Sequence, residues 1–460
     1  MAERRLNQMI RQVRAWRTGD RRGDELHLSP ELPDADLRRL RRLIDECIDG
    51  RGGEVAARRR ATSIGASFLD LNAVGRRRFF DLLGNDYDRD DHAVDQAIAA
   101  VVRAVDLDER RLAEDRLKTT LEPRRGRLLR RFVGIDGGLP FLIDLREELL
   151  PLRKDSTALA SLDNDLRVIL TSWFDVALLR LEHLDWNSPA AVLEKLIEYE
   201  AVHAIESWDD LRGRLGSGRR CYAFFHPSMP GEPLIFVEVA LTRGISRDLP
   251  PLLDHTLDRL EPAQADTAIF YSISNCHQGL AGVPLGDLLI KQVVQRLSAE
   301  LPNLTTFSTL SPMPGFRAWL DSHIEDPDLL NDTERGLLSP GEPSLATGAL
   351  ATLIGRPLPR SAAELEPART ALTRLAARYL AVERRDNHAL DPVAHFHLAN
   401  GSRIERINWW ANPSRAGWQQ SFALMVNYRY RPEWIEANHD AYESEGIIMT
   451  APDVAKLLGN

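Results

Sequence analysis

A chain of 460 residues with 43% hydrophobic and 28% charged side chains has the composition of a packed globular protein, which excludes disordered and fibrous classes. At roughly 100 to 200 residues per domain, the length predicts two domains. The formal net charge of -9 argues against a surface built throughout for nucleic acid. Cys47, Cys221 and Cys276 lack CxxC spacing, so neither a disulfide framework nor a cysteine zinc site is indicated, and a reducing cytoplasm is the expected setting.

The first residues, MAERRLNQMIRQVRAW, are broken by charges and lack the apolar core of a secretory signal, so a plain helix is predicted there. No stretch approaches the roughly 18 uninterrupted apolar residues of a membrane span, and KLLGN at the end is no peroxisomal address. From about 33 to 200 the apolar residues recur every three or four positions, the period of amphipathic helices. Leu37, Leu40, Ile44 and Cys47 form one stripe, with Asp34 or Asp36 as its cap, and Val94, Ala97, Ile98, Val101 and Ala104 form another. A long helix is predicted from Leu159 to about Leu184, and a further one from Ser188 as cap with Pro189 in its first turn.

After residue 215 the pattern changes. CYAFFHP, PLIFVEVAL and TAIFYSIS are short β-branched and aromatic runs bounded by Pro, Gly or Asp, which predicts strands. They alternate with a helix over Asp287 to Leu301 and a helical stretch over about 340 to 384, before strands return at SRIERINWW and SFALMVNYRY. The fold class is therefore α+β, an all-α helical bundle over 1–187 followed by a mixed α/β domain over 188–460, with the boundary in the region 186–215.

Three segments hold candidate chemistry. The loop NCHQGLAGVPLG lies between a strand and a helix start. Its Gly279, Gly282 and Gly286 allow close backbone approach, and the free amides of the next helix suit an anion such as a pyrophosphate; a purely structural loop fits the pattern as well. Neither GxxxxGK[ST] nor GxGxxG is present. In TLSPMPGFRAWL two prolines stiffen the turn after Ser311, whose hydroxyl either meets a substrate carboxylate or serves the turn as a cap. In DPVAHFHLANG, His395 and His397 alternate with apolar residues as on one strand face, with Phe396 opposite. An HxH can chelate zinc, but no third ligand stands nearby; a proton donor or a packed histidine are the other two readings. The arginine clusters at 58–60, 76–78 and 124–131 are expected on solvated helix faces.

The ordered segments YEAVHAI, FFHPSMPGEPLIFVEVAL, AIFYSIS, QGLAGVPLGDLLIKQVV, FSTLSPMPGFRAWL, DPVAHFHLANGSRIERINWW and LMVNYRY, within about residues 186 to 430, resemble those of malonyl-CoA decarboxylases. The resemblance implies an N-terminal helical domain used in homo-oligomerisation, as a dimer or tetramer, and a GNAT-like (acetyltransferase-type) catalytic domain. It implies malonyl-CoA as substrate, with no cofactor beyond the coenzyme A that the substrate carries, no metal, and neither nucleic acid nor membrane as partner. The loop Gly279, Leu280, Ala281, Gly282, Val283, Leu285 and Gly286 falls on the coenzyme A pyrophosphate site, Ser311 and His397 on the catalytic serine and histidine, and Tyr430 on an active-site tyrosine. Pro284 stands where some relatives carry glutamate, so no role for that carboxylate transfers. The implied chemistry is loss of carbon dioxide to a thioester enolate held by backbone amides, with Ser311 orienting the carboxylate and His397 protonating the α-carbon. An acyltransferase on the same fold and a non-catalytic coenzyme A-binding scaffold are the rival functions.

Overall fold

The computed structural model describes residues 27–257 and 260–459. The helix expected at Met1–Trp16 lies outside them. The chain forms two compact units, one comprising the residues up to Leu179 with His226–Pro230 and His277–Pro284, the other Arg180–Phe225, Gly231–Cys276 and Leu285 onwards.

The first unit is helical, as its periodicity predicts. Its helices are α1 (Asp34–Ile48), α2 (Gly53–Leu69), α3 (Ala73–Asn85), α4 (Asp91–Arg103), α5 (Leu107–Thr120), α6 (Arg124–Val133), α7 (Gly138–Leu149) and α8 (Thr157–Trp173). Leu40, Ile44 and Cys47 of the first stripe are buried. The cap of α1 is Pro33, and Asp36 instead accepts the Ser29 amide at 2.8 Å. Phe68, Phe79, Phe80, Phe132 and Phe141 make a core of tilted and edge-on ring pairs 4.9–6.2 Å apart.

The helix carrying the second stripe forms as expected, with Val94, Ala97 and Val101 half-buried and Ile98 exposed. Two expectations are corrected here. The helix predicted to run to about Leu184 stops at Trp173, and Arg180–Leu184 is a strand, claimed by backbone pairing with 221–225. Arg125, inside the cluster assigned to solvated faces, has no exposure: it donates to Asp165 (2.6 Å), Ser161 Oγ (2.7 Å) and the Gly84 carbonyl (3.1 Å), the pairing that a buried guanidinium requires.

The second unit is built on a seven-stranded sheet in the order β1-β2-β3-β4-β5-β9-β8. The strands are β1 (Arg180–Leu184), β2 (Arg219–Phe225), β3 (Pro233–Thr242), β4 (Thr267–Asn275), β5 (Thr306–Thr309), β8 (Arg403–Asn408) and β9 (Met425–Tyr430); β6 (Arg384–Arg385) and β7 (His388–Ala389) form a separate hairpin. Every pairing in the sheet is antiparallel except β4 with β5, so the sheet is mixed. Strands β2 to β4 are buried on both faces, which is why their sequences read as nearly continuous apolar runs.

After α9 (Ala190–Tyr199) and α10 (Trp208–Arg214), the crossover from β4 to β5 contains α11 (Gly286–Glu300). The cap of α9 is Pro189, one position later than expected, because the Ser188 hydroxyl accepts the Asp185 amide at 3.1 Å. Then come α12 (Phe316–His323), α13 (Asp332–Leu338), α14 (Ala346–Ile354), α15 (Arg369–Ala381), α16 (Pro392–Ala399), α17 (Arg415–Ser421), α18 (Ile435–Glu445) and α19 (Pro452–Leu457). Met313, Phe316, Leu372, Leu375, Leu398 and Tyr428 share one core, which carries the turn after β5 and the helix α16.

Candidate active site

Ser311 is placed by a controlled opening between β5 and β9. Phe307 pairs with Tyr430 and Ser308 with Arg429, and Ser311 again pairs with Val426 through backbone bonds of 2.8 and 2.9 Å. At Thr309 and Leu310, between these pairs, other groups replace the ladder. The Tyr428 amide donates to Thr309 Oγ1 (3.0 Å), Asn427 Nδ2 to the Thr309 carbonyl (2.6 Å), and the Leu310 amide to Phe270 of β4 (3.0 Å). The strands therefore separate for two residues without losing register.

His397 lies on a helix, which corrects the strand assignment. Asp391 accepts the amides of Val393 and Ala394, both at 2.9 Å, and Pro392 occupies the first turn, so DP is a helix start. Positions i and i+2 then diverge around the helix. The two imidazoles meet different tyrosines, His395 Nδ1 at 2.8 Å from the Tyr442 hydroxyl and His397 Nδ1 at 2.8 Å from the Tyr430 hydroxyl.

The structure brings Ser311, His397 and Tyr430 into one hydrogen-bonded chain. Ser311 Oγ lies 3.0 Å from His397 Nε2 and donates to Thr309 Oγ1 at 2.9 Å. A serine hydroxyl has one proton, so with Thr309 receiving it, Ser311 accepts from His397. This places the imidazole proton on Nε2 and leaves Nδ1 to accept the Tyr430 phenol proton. Burial lowers the His397 pKa to about 3 and pushes the Tyr430 phenol up, so both are neutral at neutral pH. The Tyr428 ring stacks on His397 at 4.5 Å and 29°. All three are buried, Ser311 at 6% exposure being the least so against 2% for His397 and 1% for Tyr430.

The glycine loop is also a packed element. A Cβ at Gly279 would stand 2.0 Å from the Ile143 carbonyl oxygen, and one at Gly286 2.2 Å from the Phe396 ring; Gly282 has φ +74°, open to glycine. Arg146, fully buried and paired with Asp163 at 2.7 Å, donates to the carbonyls of Gly279 (2.7 Å) and Ala281 (2.8 Å). Leu280, Val283 and Leu285 are buried, while Ala281, Gly282 and Pro284 present themselves to solvent. His277, to which the sequence assigns nothing, is buried at the start of this loop.

Sequence profiles of a known family cover both halves, the malonyl-CoA decarboxylase N-terminal domain over residues 87–174 and its C-terminal domain over 177–460. The chain belongs to the malonyl-CoA decarboxylase family. The mitochondrial malonyl-CoA decarboxylase of Anser anser anser is 36% identical over 405 residues, 84% of this chain and 80% of that protein. The Rattus norvegicus mitochondrial enzyme is 37% identical over 375 residues, 75% of this chain and 73% of that protein. The crystal structure of malonyl-CoA decarboxylase from Rhodopseudomonas palustris superposes with a TM-score of 0.83 at 39% identity, covering 91% of this chain and 99% of that one. The Agrobacterium vitis enzyme gives 0.82 at 38%, covering 92% and 100%.

Within this malonyl-CoA decarboxylase fold, four residues escape the motif reading. Thr309 and Tyr428 stand two positions before Ser311 and Tyr430 in extended segments, so the two-residue alternation of a strand already puts each beside its partner. Asp391 is announced by the dipeptide Asp-Pro. Arg146 gives no local signal, because its partners lie 17 and more than 130 residues away.

Proposed function

We propose that the protein converts malonyl-CoA to acetyl-CoA and carbon dioxide, the activity of its family, through the chain Ser311–His397–Tyr430. The observation that carries this is the buried 3.0 Å contact between Ser311 Oγ and His397 Nε2. When the malonyl carboxylate arrives, Ser311 turns its proton from Thr309 to the carboxylate while still accepting from His397, and so fixes the bond to be broken. The carbon–carbon bond breaks, its electron pair enters the thioester as an enolate, and backbone amides hold the oxyanion. His397 gives its Nε2 proton to the α-carbon as Tyr430 gives its phenol proton to Nδ1. A proton from water then reaches Nε2 as Nδ1 returns its proton to the phenolate, which restores both the phenol and the Nε2–H imidazole. The imidazole acts as a neutral acid, and the carbanion, a far stronger base than phenolate, draws the proton through. The thioester carbonyl is itself the electron sink, so the reaction calls for no further cofactor.

The loop Gly279–Gly286 is proposed to hold the coenzyme A pyrophosphate, with Ala281 and Gly282 offering the exposed backbone. Residues 1–187 are proposed as the helical, oligomerising domain and 188–460 as the catalytic one. The hairpin of α4 and α5 leaves Val102 78% and Val105 91% exposed, apolar surface that a homodimer or homotetramer would cover. Three free cysteines suit a reducing cytoplasm, and no helix among the described residues is long and apolar enough to cross a membrane.

The test is to incubate the pure protein with malonyl-CoA alone and follow acetyl-CoA by mass spectrometry. His397→Gln should lower turnover about 10²- to 10⁴-fold, as for a lost general acid, and Ser311→Ala should lower turnover more than affinity. Turnover that requires an added amine, or near-normal turnover without His397, overturns the proposal.

A further inference from the structure

The mechanism above leaves one buried ionisable side chain unused at the core of the site. Asp391 has no exposure, and its two oxygens serve different elements. Oδ1 accepts the amides of Val393 and Ala394 and so caps α16, the helix that carries His397. Oδ2 accepts the Tyr379 hydroxyl of α15 at 3.0 Å, and the backbone amide of Gly315, at the end of the Ser311-Pro-Met-Pro-Gly turn, lies close enough to favour the negative charge of this carboxylate.

A cap alone does not require this arrangement. Ser, Thr or Asn caps a helix as well as Asp does, and none of the three brings in a buried charge, which is costly unless fully bonded. The second oxygen reaches beyond the helix to the segment holding Ser311. That segment comes unusually close: a Cβ at Gly315 would stand 2.2 Å from the Tyr379 hydroxyl oxygen and 3.9 Å from Asp391 Oδ2. Pro312 and Pro314 stiffen the path back to Ser311, and the helix is stiff from Asp391 to His397.

We propose that Asp391 is a positioning residue for decarboxylation: its carboxylate clamps the Ser311 turn to the His397 helix and so sets the contact between Ser311 Oγ and His397 Nε2. Tyr379 shares the clamp. Neither touches the substrate. The inference rests on the proposed roles of Ser311 and His397.

Asp391→Asn separates clamp from cap. The amide oxygen still accepts from α16, while the amide nitrogen replaces Oδ2 and turns a donor toward the Gly315 donor. We expect kcat to fall about 10- to 100-fold, the order that misplacing a catalytic group by about 1 Å produces, with KM for malonyl-CoA within about twofold. Tyr379→Phe keeps its ring against Phe316 and Trp319 and should lower kcat about 3- to 10-fold at unchanged KM; it decides the matter alone if the Asn variant does not fold. Asn331→Ala removes the cap of α13, away from the site, and should lower Tm without lowering kcat.

The clamp is overturned if Asp391→Asn and Tyr379→Phe keep kcat within about twofold, or if Asn331→Ala loses kcat alongside Tm as they do. Near-normal turnover in His397→Gln and Ser311→Ala sinks the underlying mechanism instead. Impaired turnover in those two with a normal Asp391→Asn sinks only the clamp.

Discussion

The Tyr430 hydroxyl stands 2.8 Å from Nδ1 of His397, on the side of the imidazole opposite Ser311. Without it, the buried Nδ1 has no proton to receive when Nε2 gives one up. Tyr430→Phe is therefore expected to lower kcat about 10- to 100-fold, within the range for a lost proton-transfer group, at a KM for malonyl-CoA close to wild type. Steady-state kinetics of the purified variant checks this, and an unchanged kcat would remove the tyrosine from the proton path.

Acid should destabilise the protein through His397. With a pKa of about 3 folded and roughly 6.5 unfolded, the unfolded chain binds the extra proton between those values, so stability is lost as the pH falls below about 6.5 and is insensitive to this group above it. At pH 5 the loss is on the order of 2 kcal/mol. Urea unfolding at pH 7 and pH 5 should show a smaller drop for His397→Gln than for wild type. Burial also lowers the His203 pKa, to about 4, which destabilises both proteins in acid in the same direction.

Gly286 is the point where α11 packs on α16, so Gly286→Ala should push the Phe396 ring and shift its neighbour His397. We expect about 1–3 kcal/mol of destabilisation from overpacking and a reduced kcat. The double variant Gly286→Ala with Phe396→Leu should recover both, because the obstructing ring edge is gone. Failure of the double variant to recover would place the effect of the glycine elsewhere.

Arg146 tests the loop. Its guanidinium spans two carbonyls and Asp163 at once, a geometry that the single ammonium of lysine cannot reproduce. Arg146→Lys is expected to raise KM for malonyl-CoA about tenfold, the equivalent of one charge-assisted hydrogen bond, with a smaller change in kcat. A change confined to kcat would argue against residues 279–286 as the coenzyme A site.

The sequence makes the architecture legible where burial is one-sided or complete: the three-to-four period of α1 and α8 and the continuous apolar runs of β2 to β4 are direct imprints of the core. It misleads where tertiary context decides. The stripe on α4 has the same period as a core helix but is only half-buried, and Arg125 looks like its solvated neighbours although it is buried among polar partners. At 391–399 two local signals compete. His-Phe-His alternates like a strand, yet Asp-Pro starts a helix, and the capping bonds prevail. Ser311, His397 and Tyr430 are unremarkable one by one; their candidacy comes from the ordered family segments. The distances between them arise from pairings across 86 and 33 residues of chain.

The imidazole of His397 is held on every side: hydrogen bonds engage both nitrogens, and the Tyr428 ring covers one face. A donor so fixed can deliver its proton to only one side of a planar enolate, so the two faces of that prochiral carbon are unequal. Malonyl-CoA labelled with deuterium and tritium in one configuration at its methylene would then yield acetyl-CoA whose methyl group has a single handedness.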